Sequence, residues 1–235
     1  MIVSRRTAGT ARRWLWLALF GLLAIAAAMV WYLALAQRSG GSGTGEPIAV
    51  FLGDSYTQGT GATSPDQRWT SLVSAERGWS EVNLGRGGTG YLTAAGVEGC
   101  GREICPNYVG MVAEAVDVKP DVVVVAGGQN DFSAFRDDST TVVAQVDATF
   151  EALREALPRA RIVAVGPSSP GEAGESALAL DAEVRRAAEA VDALYVSLLQ
   201  PPVITESMVR PDGAHVGDAG HAAIAERVLD ALAAS

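Results

Sequence analysis

From residue 48 to the carboxyl terminus, short apolar runs rich in β-branched residues alternate with segments that are apolar at helical spacing. The runs at 48–52, 81–84, 121–127, 161–167 and 193–198 are predicted to be strands. Helices are predicted between and after them, around 68–77, 108–118, 139–157, 180–191 and 224–232. This alternation predicts an α/β fold in which right-handed crossovers build a parallel sheet of about five strands between two layers of helices.

An uncharged segment of 23 residues, 14–36, precedes this pattern. At about 1.5 Å per residue, a helix of this length crosses a bilayer core of roughly 30 Å. Four arginines precede the segment and only Arg38 follows closely, so the positive-inside rule predicts that residues 1–13 are cytoplasmic and the remainder extracytoplasmic. We therefore expect a single-pass membrane anchor. The alternative is a signal peptide cleaved after Ala36, which would release a secreted protein.

Residues 37–46 are rich in glycine and serine and predict a flexible linker, so that 47–235 remain as one folded domain. From Glu46 onward the chain has 27 acidic and 13 basic side chains, an excess of 14 negative charges. Such a charge argues against nucleic acid or an anionic lipid surface as a partner of the folded part. The only membrane contact that the sequence predicts is through segment 14–36.

Cys100 and Cys105 are the only cysteines. In an exported domain, two thiols this close in sequence are expected to form a disulfide. A zinc site is the other common use of neighbouring cysteines, but both histidines lie far away in the sequence, and no metal or cofactor is predicted. So small a ring is expected to shape one loop rather than to stabilise the whole fold.

Ligands of a parallel sheet bind beyond the carboxyl ends of its strands, so the residues that follow each strand are the candidate site. The string "GDS", which contains Ser55, follows the first strand. By itself it predicts a turn as well as a nucleophile, because glycine, aspartate and serine all favour turns. A nucleophilic serine also needs a base.

His215 is the candidate base because Asp212 lies three residues before it. A carboxylate at that spacing can accept the Nδ1 hydrogen and leave Nε2 free to take a proton. His221 lies inside the start of the last helix and is expected to pack rather than to react. Asp54 and Asp131 are likewise expected to be structural.

Hydrogen-bond donors follow the second and third strands, as the glycines of "NLGRGGTG" and the side chain of Asn130 in "GGQND". "GRGGTG" also fits the nucleotide-binding pattern GxGxxG. The fit is weak, because the string follows the second strand and opens no clear helix.

Taken in order, "GDS", "NLGRGGTG", "GGQND" and "DGAH" resemble the four sequence blocks of the SGNH, or GDSL, family of serine hydrolases, over about residues 47–235. The resemblance implies a flavodoxin-like three-layer α/β/α sandwich and an esterase or lipase that needs no cofactor. The site residues that it implies are Ser55 as nucleophile and first oxyanion donor, Gly88 (or Gly87) and Asn130 as further donors, His215 as base, and Asp212 as its orienting acid.

The sequence therefore predicts an extracytoplasmic serine hydrolase that cleaves a small-molecule, glycan or lipid ester through an acyl-enzyme. An acyltransferase with the same triad and a non-catalytic flavodoxin-like binding module are the alternatives. Segments 89–107 and 199–210 are expected to wall the substrate groove, with Tyr91 among the lining residues.

Overall fold

The structure, a computed structural model, describes residues 45–235. The expected anchor at 14–36, the basic residues before it and most of the expected linker lie outside the described residues. Residues Glu46–Ser235 form one compact unit. Across 45–235, none of the helices has the length and apolar character needed to span a bilayer.

Five parallel strands form one sheet in the order β2-β1-β3-β4-β5. They are β1 Ile48–Gly53, β2 Ser80–Asn83, β3 Val122–Ala126, β4 Arg161–Val165 and β5 Leu194–Val196. The predicted five-stranded parallel sheet is thus confirmed. The strands that are buried along nearly their whole length, β1, β3 and β4, are the three inner ones.

Eight α-helices connect or follow the strands of the described chain. They are α1 Ser55–Gln58, α2 Trp69–Arg77, α3 Val97–Cys100, α4 Tyr108–Asp117, α5 Phe132–Asp137, α6 Ser139–Ala156, α7 Glu175–Ala190 and α8 Asp218–Ala233. Side chains cap two of the long ones at the amino end, where Asn107 accepts a hydrogen bond from Gly110 N and Asp138 accepts one from Thr141 N.

Alternate residues of β1 point to opposite faces of the sheet and divide the core in two. Val50 and Leu52 belong to the cluster formed with α4, α6 and α7. Ala49 and Phe51 belong to the cluster formed with α2 and α8. Helices therefore cover both faces, which confirms the three-layer α/β/α sandwich.

The strand register brings the carboxyl ends of four strands to one level, because Gly53 pairs with Ala126, Ala126 with Val165, and Val165 with Val196. The chain moves from β1 to β2 on one side and then returns to place β3 on the other side. This reversal opens a crevice between the segments that follow β1 and β3. Ser55 follows β1 and Asn130 follows β3, so the topology directs both to this crevice.

Candidate active site

Ser55 is the first residue of α1, immediately beyond the end of β1. Asp54 caps this helix by accepting a hydrogen bond from Tyr56 N at 2.9 Å. A side chain at Gly53 would place its Cβ 2.3 Å from Thr57 Oγ1 and 2.4 Å from Ala126 O, so only glycine fits there. The close turn from strand to helix therefore depends on Gly53 and on the cap by Asp54.

Asp54 is fully buried beneath the serine. Burial raises the pKa of its carboxyl from 3.8 to about 6. The Tyr108 hydroxyl lies 3.0 Å from Asp54 Oδ2 and 3.1 Å from Ala126 O. These contacts support the expectation that Asp54 is structural, since they fix the turn to α4 and β3.

His215 lies between Ser55 and Asp212. Its Nε2 atom is 3.0 Å from Ser55 Oγ, and its Nδ1 atom is 3.0 Å from Asp212 Oδ2. Asp212 Oδ1 also accepts the backbone N–H groups of Ala214 and His215, each at 2.9 Å. These hydrogen bonds hold the pKa of Asp212 well below its usual value, so the carboxylate stays ionised and orients the imidazole.

Tyr56 holds the loop of His215 in place, a role that the sequence alone did not predict. The Tyr56 hydroxyl donates a 2.7 Å hydrogen bond to Ala214 O, next to His215. Burial raises the pKa of this phenol to about 12, so it remains a donor. Trp69 Nε1 in turn donates to Tyr56 O at 3.1 Å. The sequence indicates this role only through the position of Tyr56, which directly follows Ser55. The rest of that string favours a turn, whereas tyrosine has an aromatic ring with a hydroxyl at its end.

Most backbone N–H groups of the loop after β2 have partners within the protein. The pairs are Gly85 N with Asn83 Oδ1, Arg86 N with Gly53 O, Gly87 N with Gln58 Oε1, Thr89 N with Arg86 O, and Gly90 N with Thr93 O. Gly88 N has no acceptor within residues 45–235. Most N–H groups of this loop are therefore already hydrogen-bonded, unlike the N–H groups of loops that bind phosphates.

Gly88 also has a backbone that favours glycine, with φ at +76°. A Cβ there would lie 3.2 Å from Ala95 Cβ and 3.3 Å from Gly99 Cα. The two glycines that the sequence left open are thus distinguished, because Gly87 N–H is bound to Gln58 whereas Gly88 N–H is available.

Asn130 donates one hydrogen of its Nδ2 group to Thr89 O at 2.8 Å, which leaves the second hydrogen available. The neighbouring Asp131 is fully buried. It accepts hydrogen bonds from Tyr91 N at 2.6 Å and from Thr93 N at 2.9 Å. The expectation that Asp131 holds a loop is confirmed, and that loop is the one that carries Gly88.

The Cys100–Cys105 disulfide is present in the structure. Cys105 is buried and pairs with Ala95 through two backbone hydrogen bonds of 3.0 and 2.7 Å. Gly99, the residue before Cys100, contacts the glycine loop, since its O lies 2.4 Å from the position of a Cβ on Gly87. The disulfide therefore shapes the surface on which Gly87 and Gly88 pack.

Tyr91 does not line a groove, contrary to the sequence-based expectation. Its side chain is fully buried against Tyr108 and Phe150, with ring centroids at 4.9 and 6.1 Å. The backbone hydrogen bond from Tyr91 N to Asp131 turns this part of segment 89–107 inward. Ile104 and Val97 are the exposed large hydrophobic residues of the described chain, and both belong to the same segment.

His221 packs within the fold, as expected. It is fully buried, with Nδ1 3.5 Å from Trp69 N and Nε2 3.3 Å from Thr60 O. Burial lowers the pKa of its imidazole. In residues 45–235 no group of three or more His, Cys, Asp and Glu side chains is arranged to hold a metal ion.

The serine, imidazole and carboxylate are aligned as in enzymes that attack carbonyl groups with an activated serine. Two further hydrogen-bond donors lie beyond the strand ends. They are the backbone N–H of Gly88 and the second amide hydrogen of Asn130 Nδ2. Donors of this kind can stabilise an anionic oxygen that forms during acyl transfer.

Similar folds occur among solved structures. TesA superposes with a TM-score of 0.62 at 18% identity, over 79% of this chain and 97% of TesA. A two-domain esterase active on acetylated mannans superposes with a TM-score of 0.61 at 21% identity, over 81% of this chain and 50% of that protein. At these identities the likeness concerns the fold alone.

Sequence comparison identifies the family. A protein described as a GDSL lipase, from Mycobacterium tuberculosis, is 28% identical over 191 residues, which cover 77% of this chain and 79% of the relative. The model of the GDSL-like lipase/acylhydrolase family matches residues 51–223, which include all four sequence blocks of the site. The chain therefore belongs to the GDSL-like lipase/acylhydrolase family and is a carboxylic ester hydrolase.

Proposed function

We propose that the chain cleaves carboxylic esters through an acyl-enzyme formed on Ser55, with His215 as general base and Asp212 as its orienting acid. The observation that carries the proposal is the continuous series of 3.0 Å contacts from Ser55 Oγ to His215 Nε2 and from His215 Nδ1 to Asp212 Oδ2. In this arrangement Nδ1 donates its hydrogen to the carboxylate, so the lone pair of Nε2 faces the serine hydroxyl.

Acylation begins when Ser55 Oγ attacks the ester carbonyl carbon and passes its proton to His215 Nε2. The imidazolium that forms is stabilised by the ionised Asp212. The C–O bond to the leaving alcohol then breaks, and His215 returns the proton to the alcohol oxygen. A water molecule attacks the acyl-enzyme in the same way, which releases the acid and restores the serine.

Three donors would bind the oxyanion of each tetrahedral intermediate. They are the N–H of Ser55 at the start of α1, the N–H of Gly88, and the second hydrogen of Asn130 Nδ2. Within the described chain none of these three hydrogens has another acceptor. The donors are held before the reaction begins, because Asp131 fixes the loop of Gly88 and Thr89 O fixes the Asn130 amide.

The proposed location is outside the cytoplasm, on a single-pass anchor at 14–36, or as a secreted domain if that segment is cleaved. The uncharged anchor sequence and the arginines before it support this topology. A disulfide in the folded part is also more common in exported proteins. The proposed substrate is an ester of a small molecule, a glycan or a lipid, and the mannan esterase of similar fold supports the inclusion of acylated glycans.

The proposal is tested with the variant Ser55→Ala on an aryl acetate. We expect loss of hydrolysis, with Ser64→Ala as the matched control, because Ser64 is exposed and its side chain makes no capping hydrogen bond. Activity that persists in Ser55→Ala would contradict the proposal. Adding an alcohol acceptor separates the rival transferase, which would yield a new ester in place of free acid.

A further inference from the structure

A small cavity lies between α1 and the carboxyl ends of β3 and β4, beside the turn that presents Ser55. Its volume is about 10 Å³. Most of its wall is apolar, from side chains that include Trp69, Leu198 and Ile224. Besides Tyr56 and Trp69, whose polar side-chain atoms donate to Ala214 O and Tyr56 O, three residues of the wall are polar and neutral, namely Thr57, Gln129 and Ser168.

Each of these three residues has a buried polar atom that makes no hydrogen bond of normal geometry within residues 45–235, although the Ser168 hydroxyl is near enough to the Tyr56 hydroxyl to lower its pKa. The atoms are Thr57 Oγ1, Gln129 Nε2 and Ser168 Oγ. Thr57 is fully buried and Ser168 is 3% exposed, so bulk solvent does not reach their hydroxyls. Buried polar atoms without a partner destabilise a fold, and three of them around one cavity indicate that something inside it binds them.

The hydrogen-bonding character of the three atoms defines the ligand. Ser168 N lies 3.4 Å from Gln129 Oε1, which identifies the other end of that amide, Nε2, as the donor without a partner. The two hydroxyls can each donate or accept. The ligand must therefore accept a hydrogen bond from Gln129 Nε2 and form one hydrogen bond, as donor or acceptor, with each of the two hydroxyls. A metal cation does not fit, because an amide N–H group donates hydrogen bonds and does not coordinate a cation.

The volume restricts the ligand further. A cavity of about 10 Å³ on this measure holds a single water molecule, and a buried water typically makes about three hydrogen bonds. A substrate or an acyl group is too large. Water alone among common ligands matches both the volume and the number of polar contacts.

The three polar residues belong to separate segments of the site. Thr57 is in α1, two residues after Ser55, and Gln129 immediately precedes Asn130. Ser168 follows β4, and its cavity is also lined by Tyr56, whose hydroxyl holds the loop of His215 through Ala214. A molecule bound to all three residues would connect the nucleophile, the Asn130 donor and the support of the base.

We propose that one ordered water molecule occupies this cavity, bound to Thr57, Gln129 and Ser168, and that it positions Asn130 relative to Ser55. The three residues are positioning residues, since they act through the neighbours that face the substrate.

Diffraction from crystals of the full chain, at a resolution that resolves ordered water, tests the site directly. We expect density for one water within about 2.7 to 3.2 Å of at least two of the three atoms. An empty cavity, or the three atoms paired with other protein groups, would overturn the proposal.

Two serine variants test the same site in solution. Ser168→Ala removes one partner of the water, whereas Ser74→Ala removes a hydroxyl that is equally buried and unpartnered but lies in α2, outside the cavity wall. We expect Ser168→Ala to lower Tm by about 2 to 4 °C, as for a lost hydrogen bond in a domain of this size. Ser74→Ala is expected to leave Tm unchanged or to raise it.

Kinetics separates positioning from stability alone. Ser168→Ala is expected to reduce kcat on an aryl acetate with KM unchanged, because the Asn130 amide acts on the transition state. Thr57→Val, which keeps the side-chain shape and removes the second hydroxyl, is expected to have the same effect. If both variants match Ser74→Ala in kcat and Tm, the proposal is wrong.

Discussion

Replacing Asn130 removes one of the three proposed oxyanion donors. Its amide has two hydrogens, of which Thr89 O binds one at 2.8 Å, so Asn130→Ala deletes one candidate contact to the oxyanion and frees one buried carbonyl. Loss of a donor costs about 2.7 to 4 kcal/mol in the transition state, so kcat is expected to fall about 10²- to 10³-fold with little change in KM. The freed Thr89 carbonyl is expected to cost about 1 to 3 kcal/mol of stability.

Steady-state hydrolysis of an aryl acetate, with Tm measured in parallel, distinguishes these two effects. Asn107→Ala is the matched control, because Asn107 Nδ2 also donates to a loop carbonyl, Tyr91 O at 2.9 Å, without following a strand end of the site. It is expected to lower Tm and to affect kcat far less. Asn130→Asp preserves the size of the side chain but cannot donate, so a kcat close to that of the unmodified chain would refute the reasoning.

Three further changes have defined outcomes. Asp212→Asn is expected to lower kcat about 10⁴-fold with KM nearly unchanged, because the amide no longer holds His215 in the reactive tautomer, and a pH profile of kcat checks this. In the folded chain the pKa of Asp54 is raised from 3.8 to about 6. Ionisation of Asp54 is therefore expected to lower the free energy of unfolding as the pH rises from about 4 to above 6. The loss is up to about 3 kcal/mol, because one pKa unit corresponds to about 1.4 kcal/mol. Asp54→Asn is therefore expected to flatten the fall in Tm over that range; an unchanged pH dependence would exclude Asp54 as its source. Reducing the Cys100–Cys105 disulfide is expected to lower kcat, by up to about 10²-fold, because Gly99 and Ala95, which adjoin the two cysteines in sequence and in pairing, pack on Gly87 and Gly88. The reductant should have no effect on a variant with both cysteines changed to serine.

The sheet was predictable because its inner strands are almost continuously apolar. The run 121–127 predicted β3 to within one residue at each end, since every residue from Val122 to Ala126 is buried. The edge strands were less well defined. β5 covers only Leu194–Val196, where the sequence predicted 193–198, because one side of an edge strand has no partner to prolong it.

The positions of Ser55, Asp212 and His215 relative to one another could be anticipated from the order of the four sequence blocks. The supporting contacts could not, because they join residues far apart in the sequence. Tyr56 reaches Ala214 over 158 residues. Gln58 binds Gly87 N and so distinguishes Gly87 from Gly88, which the loop sequence alone left open. Burial of Tyr91 depends on its packing against Phe150, which no local pattern indicates.

Covalent labelling tests the central claim, that Ser55 is the nucleophile activated by His215, most directly. The full chain is treated with a fluorophosphonate, and the modified peptide is identified by mass spectrometry. We expect one label per chain, on Ser55 Oγ, absent in Ser55→Ala and strongly slowed in His215→Ala. A label on any other residue, or undiminished ester hydrolysis in a chain without Ser55, would contradict the account.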